Sequence, residues 1–142
     1  MFLFDEVDFV QTQNLPLGEL WYFLPFGYLL TILIEAPVLV AGLPAKVTLK
    51  QKLICGVWLT ACTYPIVVLV LPAVFFGAPR WQYLAVAETF APAAECLLFW
   101  LAFKDRIGGR ELLQSFVAIT IANLASFGLG EVLNHFRWFG LF

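Results

Sequence analysis

Apolar positions along the chain gather into four long runs, at about residues 20–43, 53–74, 83–103 and 112–133, separated by short polar breaks. Each run has the roughly twenty residues that an α-helix needs to cross about 30 Å of hydrocarbon. The pattern therefore predicts an all-α, polytopic membrane protein with four transmembrane helices in a bundle. Residues 1–19 form an acidic N-terminal segment and residues 20–142 a single four-helix transmembrane domain. In the N-terminal segment Leu3, Val7 and Val10 have helical spacing, which fits a short helix lying on the membrane surface or a frayed tail.

Polar residues interrupt the runs at few places. The first run holds Glu35, two residues before Pro37, and the second holds Thr60, Thr63, Pro65 and Pro72. The third holds Glu88, Pro92 and Glu95, and the fourth Asn123 and Ser126. A proline removes one backbone N–H, so the carbonyl four residues earlier needs another donor and kinks are expected, above all in the second run. A carboxylate at mid-bilayer costs about 3 kcal/mol on insertion scales, so the glutamates should face protein or water rather than lipid. Glu88 and Glu95 are seven residues apart, about two turns, and share a helix face.

Composition agrees with the pattern. Of the 142 residues 62% are hydrophobic and only 13% charged, against about 25% charged in a soluble domain. Little length remains for a separate soluble catalytic or nucleic-acid-binding module, and no nucleic-acid partner is expected. Cys55, Cys62 and Cys96 lie inside apolar runs without metal-ligand spacing, and His135 stands far from them in sequence. Neither a disulfide framework nor a metal site is expected, and no cofactor motif occurs, since Gly108-Gly109 lacks the spacing of a phosphate loop. The chain begins MFLFDEVDF, acidic where a signal peptide is basic, so the first span should serve as its own insertion signal.

Charge sets the orientation. The loops after the first and third runs hold Lys46, Lys50, Lys52, Lys104, Arg106 and Arg110, six of the eight Lys and Arg; Arg80 and Arg137 are the others. The positive-inside rule places those loops in the cytoplasm and both termini outside, in a plasma or inner membrane. Trp21, Tyr22, Trp81, Tyr83 and Trp138 then form an outer aromatic belt. The basic loops either set topology alone or also attract anionic head groups.

With this topology Glu35, Glu95, Thr63 and Asn123 fall at similar depth, near the middle of their spans, and should share an interior polar layer, with Glu88 nearer the outer surface. A weak internal repeat points the same way. Glu35 and Glu95 are 60 residues apart, while Thr60 and Asn123, Thr63 and Ser126, and Tyr64 and Phe127 are each 63 apart. Two halves of two spans each would be related by an axis along the membrane normal. Ala118, Ala122, Ser126 and Gly130 recur every four residues, a small-residue stripe for close helix packing and a candidate interface with another copy.

Two functions fit. In the first, Glu35, Glu88 and Glu95 are proton or cation sites, since a carboxyl group away from water can exchange protons as its hydration changes, and Thr60, Thr63, Asn123 and Ser126 support them. Four spans are few for a solute path, so a homo-oligomer or a larger membrane complex is expected. In the second, the chain is a non-catalytic accessory or assembly subunit whose buried polar groups specify helix pairing. The bland reading of each residue stays beside these: glutamates that only bridge helices, threonines that only bond back to their own helix, cysteines that only fill space, and an interfacial His135. An enzyme, with Glu88 and Glu95 as a proton-transfer pair, lacks a nucleophile, metal cluster or cofactor signature to support it.

Overall fold

Local signals start the second and fourth spans about one turn before their apolar runs. Thr48 accepts from the Gln51 N–H, and Gln51 Oε1 accepts from the Thr48 N–H, a reciprocal cap. At the equivalent place in the second basic loop the Glu111 carboxylate accepts from the Gly108 N–H at 2.9 Å. In this computed structural model, which describes residues 17–136, α1 spans Leu17–Gly42 and α2 spans Leu49–Pro65. A π-helical segment, Ile66–Val70, and a short helix α3, Leu71–Val74, complete the second span. The third and fourth spans are α4, Arg80–Phe103, and α5, Gly109–His135. The N-terminal acidic cluster with its expected surface helix, and Arg137 and Trp138, lie outside the described residues.

Four helical stretches of 23 to 27 residues have mean hydropathy between 1.5 and 2.1 and are long enough to cross a bilayer. Polarity is inverted relative to a soluble bundle. Leu29, Leu33, Leu97, Ile121 and Leu124 are more than half exposed, whereas Glu35, Thr60, Thr63, Glu95, Asn123 and Ser126 are buried. Apolar outside and polar inside is the arrangement hydrocarbon favours, and the protein is a multi-pass membrane protein.

The prolines act unequally. Pro25, Pro37 and Pro92 are absorbed within continuous helices, while the second span changes register just after Pro65. In the π segment the Leu71 N–H bonds the Ile66 carbonyl, an i to i+5 pattern. The next N–H in that pattern belongs to residue 72, a proline, so the Val67 carbonyl is left without its backbone donor. Tyr83 Oη of α4 donates to it at 3.1 Å. Tyr83 is 4% exposed and is not part of the aromatic belt its position suggests; it is drawn inward because a freed backbone acceptor costs more unsatisfied in an apolar interior than a tyrosine gains at the interface. Trp21, Tyr22 and Trp81 remain exposed.

α1 and α4 each pack against both α2 and α5. Close approach is set by small residues: a methyl added at Gly56 would lie 2.8 Å from Ala36 Cβ, and one at Gly42 2.7 Å from Ala118 Cβ. Ala118, Ala122, Ser126 and Gly130 are all buried within the bundle. The stripe is spent on packing inside the chain and is no free face for a second copy, because the polar side chain it carries, Ser126, must reach α1.

Both basic loops lie at one end, joined by a 3.0 Å ion pair between Lys46 and Glu111. Lys52 Nζ donates to the carbonyls of Val40 and Leu43, at 3.1 and 2.6 Å, and so caps α1. Some of the basic residues therefore hold the fold together. The opposite end is clamped by Arg80, whose Nη2 donates to both oxygens of Glu131 at 2.7 and 2.9 Å, tying the start of α4 to the end of α5.

Candidate functional site: a buried carboxyl layer

The two mid-span glutamates point inward and are each held by two other helices. Thr60 Oγ1 donates to Glu35 Oε2 at 2.8 Å and Ser126 Oγ to Glu35 Oε1 at 2.7 Å. Thr63 Oγ1 donates to Glu95 Oε1 at 2.7 Å and Asn123 Nδ2 to Glu95 Oε2 at 2.8 Å. Glu35 is 3% and Glu95 2% exposed. The four residues expected to share the layer, Glu35, Glu95, Thr63 and Asn123, are brought together with Thr60 and Ser126, and the two carboxyls are near enough to interact electrostatically.

These bonds have a two-fold pattern. Exchanging Glu35 with Glu95, Thr60 with Asn123 and Thr63 with Ser126 maps the four bonds onto one another: each glutamate takes one donor from its own half and one from the other half. An internal repeat with parallel halves would produce this closure. The basic loops carry a second trace of it that the polar residues alone do not reveal. Lys46 and Arg106, Val47 and Ile107, Lys50 and Arg110, and Gln51 and Glu111 are each 60 residues apart, and α2 and α5 begin 60 residues apart. The spacing becomes 63 at the polar layer, a shift of nearly one helical turn between loop and layer.

The hydroxyls have a choice that the amide lacks. Thr60 Oγ1 lies 2.9 Å from the Gly56 carbonyl, Thr63 Oγ1 3.2 Å from that of Leu59 and Ser126 Oγ 2.9 Å from that of Asn123. A hydroxyl has one proton. It donates either to an ionised glutamate or to its own helix, and in the second case it accepts from a protonated glutamate. The same heavy-atom positions thus serve both charge states. Asn123 Nδ2 has two protons and uses both, on Glu95 Oε2 and on the Ile119 carbonyl at 3.0 Å. For Thr60 and Thr63 both partners, the carbonyl of the same helix and a glutamate across the bundle, are within reach, and each hydroxyl donates to one of them at a time.

The layer separates two unlike regions. Toward the basic loops Leu39, Leu43, Val47, Leu59, Phe99, Phe103, Ile119 and Ala122 form a packed apolar plug, with Phe99 and Phe103 stacked at 4.6 Å. On the other side a cavity of about 30 Å³ is lined by Thr31, Tyr64, Glu88 and the layer itself. Glu88 is half-buried on that side, as its shallower position suggests, and Glu88 Oε1 and Tyr64 Oη are buried without a hydrogen-bond partner among the described residues. Tyr64 Oη rests against α1 where Gly27 leaves room; a Cβ there would overlap the hydroxyl.

Sequence reading passes over Glu131, Tyr64 and Tyr83 as polar participants. Arg80, the lone basic residue of the middle turn, signals Glu131, the one acid near the same end of the fourth span. No signal marks the tyrosines, because their roles depend on the π segment and on Gly27. Cys55, Cys62 and Cys96 are free thiols, and His135 is exposed. Among the described residues no group of three or more His, Cys, Asp or Glu could hold a metal ion. Comparison of the chain with known protein families, curated proteins and solved structures finds no match.

Proposed function

We propose that this protein handles protons or small cations at the Glu35–Glu95 layer of a plasma or inner membrane, with both termini outside and the basic loops in the cytoplasm. The observation that carries the reading is the set of three hydroxyls, Thr60, Thr63 and Ser126, each within reach of a glutamate oxygen and of a carbonyl of its own helix. Such a layer takes up and releases a proton without moving a helix. The cavity beside Glu88 supplies access from one side. The apolar plug closes the other in this conformation, so net transfer requires a rearrangement there, in keeping with a homo-oligomer or a larger partner complex. In liposomes, a pH-driven flux lost in Glu95→Gln, with the variant folded, supports the reading. Flux unchanged in that variant defeats it.

The plug also favours a second reading, a non-catalytic accessory or assembly subunit whose polar layer specifies helix pairing. Isolated protein with no flux, that regains a function only beside other membrane chains, decides for it.

A further inference from the structure

Two polar atoms near the layer stand out by what they lack. Tyr64 Oη belongs to a side chain 6% exposed that lines the cavity, and it has no hydrogen-bond partner among the described residues. Glu88, half-buried, lines the same cavity, and its Oε1 is buried and also without a partner among the described residues. An unpaired hydroxyl in an apolar interior is costly and calls for a partner. The cavity, about 30 Å³, exceeds the ~10–15 Å³ that one water requires. A water there has the two to four polar partners it needs: Tyr64, Glu88 and the carboxyl groups of Glu35 and Glu95, which line the same space.

We propose that this cavity is a water site and that Glu88, the water and Tyr64 form a one-sided proton inlet to Glu35 and Glu95. The inference rests on the proton-handling reading and names its entrance. Glu88 takes a proton from outside on its exposed side. Its buried oxygen passes a proton to the water, the water gives up another to Glu95 or Glu35, and the receiving glutamate donates to its hydroxyl partner, which turns to its own helix carbonyl. Glu88 and the water end the step in the charge state in which they began it, the receiving carboxylate is neutralised, and a proton released outward retraces the path. Tyr64 Oη orients the water and acts as a positioning residue. Among the described residues the other ionisable groups around this path are Tyr83, Arg80 and Glu131, with Glu131 paired to Arg80.

The test follows hydrogen–deuterium exchange of the buried carboxyl groups by their infrared C=O stretch in protein reconstituted in nanodiscs. The bands are assigned by their loss in Glu35→Gln and Glu95→Gln. Glu88→Gln is expected to slow exchange at least tenfold and Tyr64→Phe severalfold, and the double variant to be no slower than the slower single one, as for one path. Both substitutions are close in shape, and thermal unfolding confirms that each variant is folded. Exchange within twofold of the unaltered protein in both variants overturns the inlet, as does a multiplicative effect in the double variant. Flux lost in Glu95→Gln together with exchange indifferent to Glu88 and Tyr64 defeats the inlet and leaves proton handling standing. Exchange that depends on both, without flux, establishes the inlet and defeats transport.

Discussion

Gly56→Ala is the substitution for which the structure gives the most definite consequence. The added Cβ would sit 2.8 Å from the β-carbon of Ala36 and 3.0 Å from its α-carbon, where carbon atoms prefer about 3.5–4.0 Å. Both obstacles are backbone or fixed to it, so α1 and α2 must separate by roughly 0.7–1.2 Å to restore ordinary van der Waals spacing. One turn further along α2, Thr60 spans the same gap to Glu35, next to Ala36, at 2.8 Å. An equal opening carries that bond to or past the limit at which it counts. Overpacking costs about 1–3 kcal/mol and the interhelical bond adds about 0.6 kcal/mol, so a loss of about 2–4 kcal/mol is expected. Ala36→Gly removes the nearer obstacle and leaves the crowding against the backbone of α1, and the double variant should recover about 1 kcal/mol or more relative to additivity. Unfolding of the four proteins of this cycle in mixed micelles, titrated with sodium dodecyl sulfate, measures it. Costs that add to within ~0.5 kcal/mol would show that the two positions do not couple, and the close approach would then not be what sets the Thr60–Glu35 bond.

Tyr83→Phe leaves the Val67 carbonyl without a donor and should cost about 1–3 kcal/mol in the same unfolding assay; a neutral substitution would mean that the π segment satisfies its own carbonyl. Glu131→Gln weakens the Arg80 clamp by about 1 kcal/mol, and the exchange Arg80→Glu with Glu131→Arg should restore part of the loss, as a thermal unfolding series would reveal. Lys52→Met removes both donors from the end of α1 and should lower stability by roughly 1 kcal/mol, whereas Lys50→Met, at a position that caps no helix, should change it little. For orientation, in a protein with Cys55, Cys62 and Cys96 replaced, Ala45→Cys and Asp105→Cys should react with an impermeant thiol reagent only after the cytoplasmic side is opened. Phe76→Cys should react from outside, and labelling of Ala45→Cys and Asp105→Cys from opposite sides is incompatible with the fold.

Much of the layer is legible in the sequence because hydrocarbon is an unforgiving solvent. Glu35 and Glu95 in runs of apolar residues have nowhere to go but inward, and Thr60, Thr63, Asn123 and Ser126 are the polar groups at matching depth. The ends of the spans are read a turn short, since Lys50, Lys52 and Arg110 belong to helices whose first turns lie beyond the apolar pattern. Tyr83 is misplaced for a different reason: tyrosine suits both a membrane interface and a buried acceptor, and only the register change after Pro65 selects the second. Glu131 is overlooked because its partner is 51 residues away and no local pattern links them. The small-residue stripe shows that spacing reveals a packing face without saying what packs on it.

The two-fold pattern is broken at one point, where Thr60 in the first half answers to Asn123 in the second. Glu35 has a reversible partner on each oxygen, whereas one oxygen of Glu95 is held by the Asn123 amide nitrogen, which only donates and is fixed by its second bond to the Ile119 carbonyl. A proton arriving at Glu35 therefore has two resting places and one arriving at Glu95 a single one, beside Thr63. Halves that correspond in their polar layer thus differ in chemistry, and the two acids of this centre are distinguishable, as two identical acids would not be.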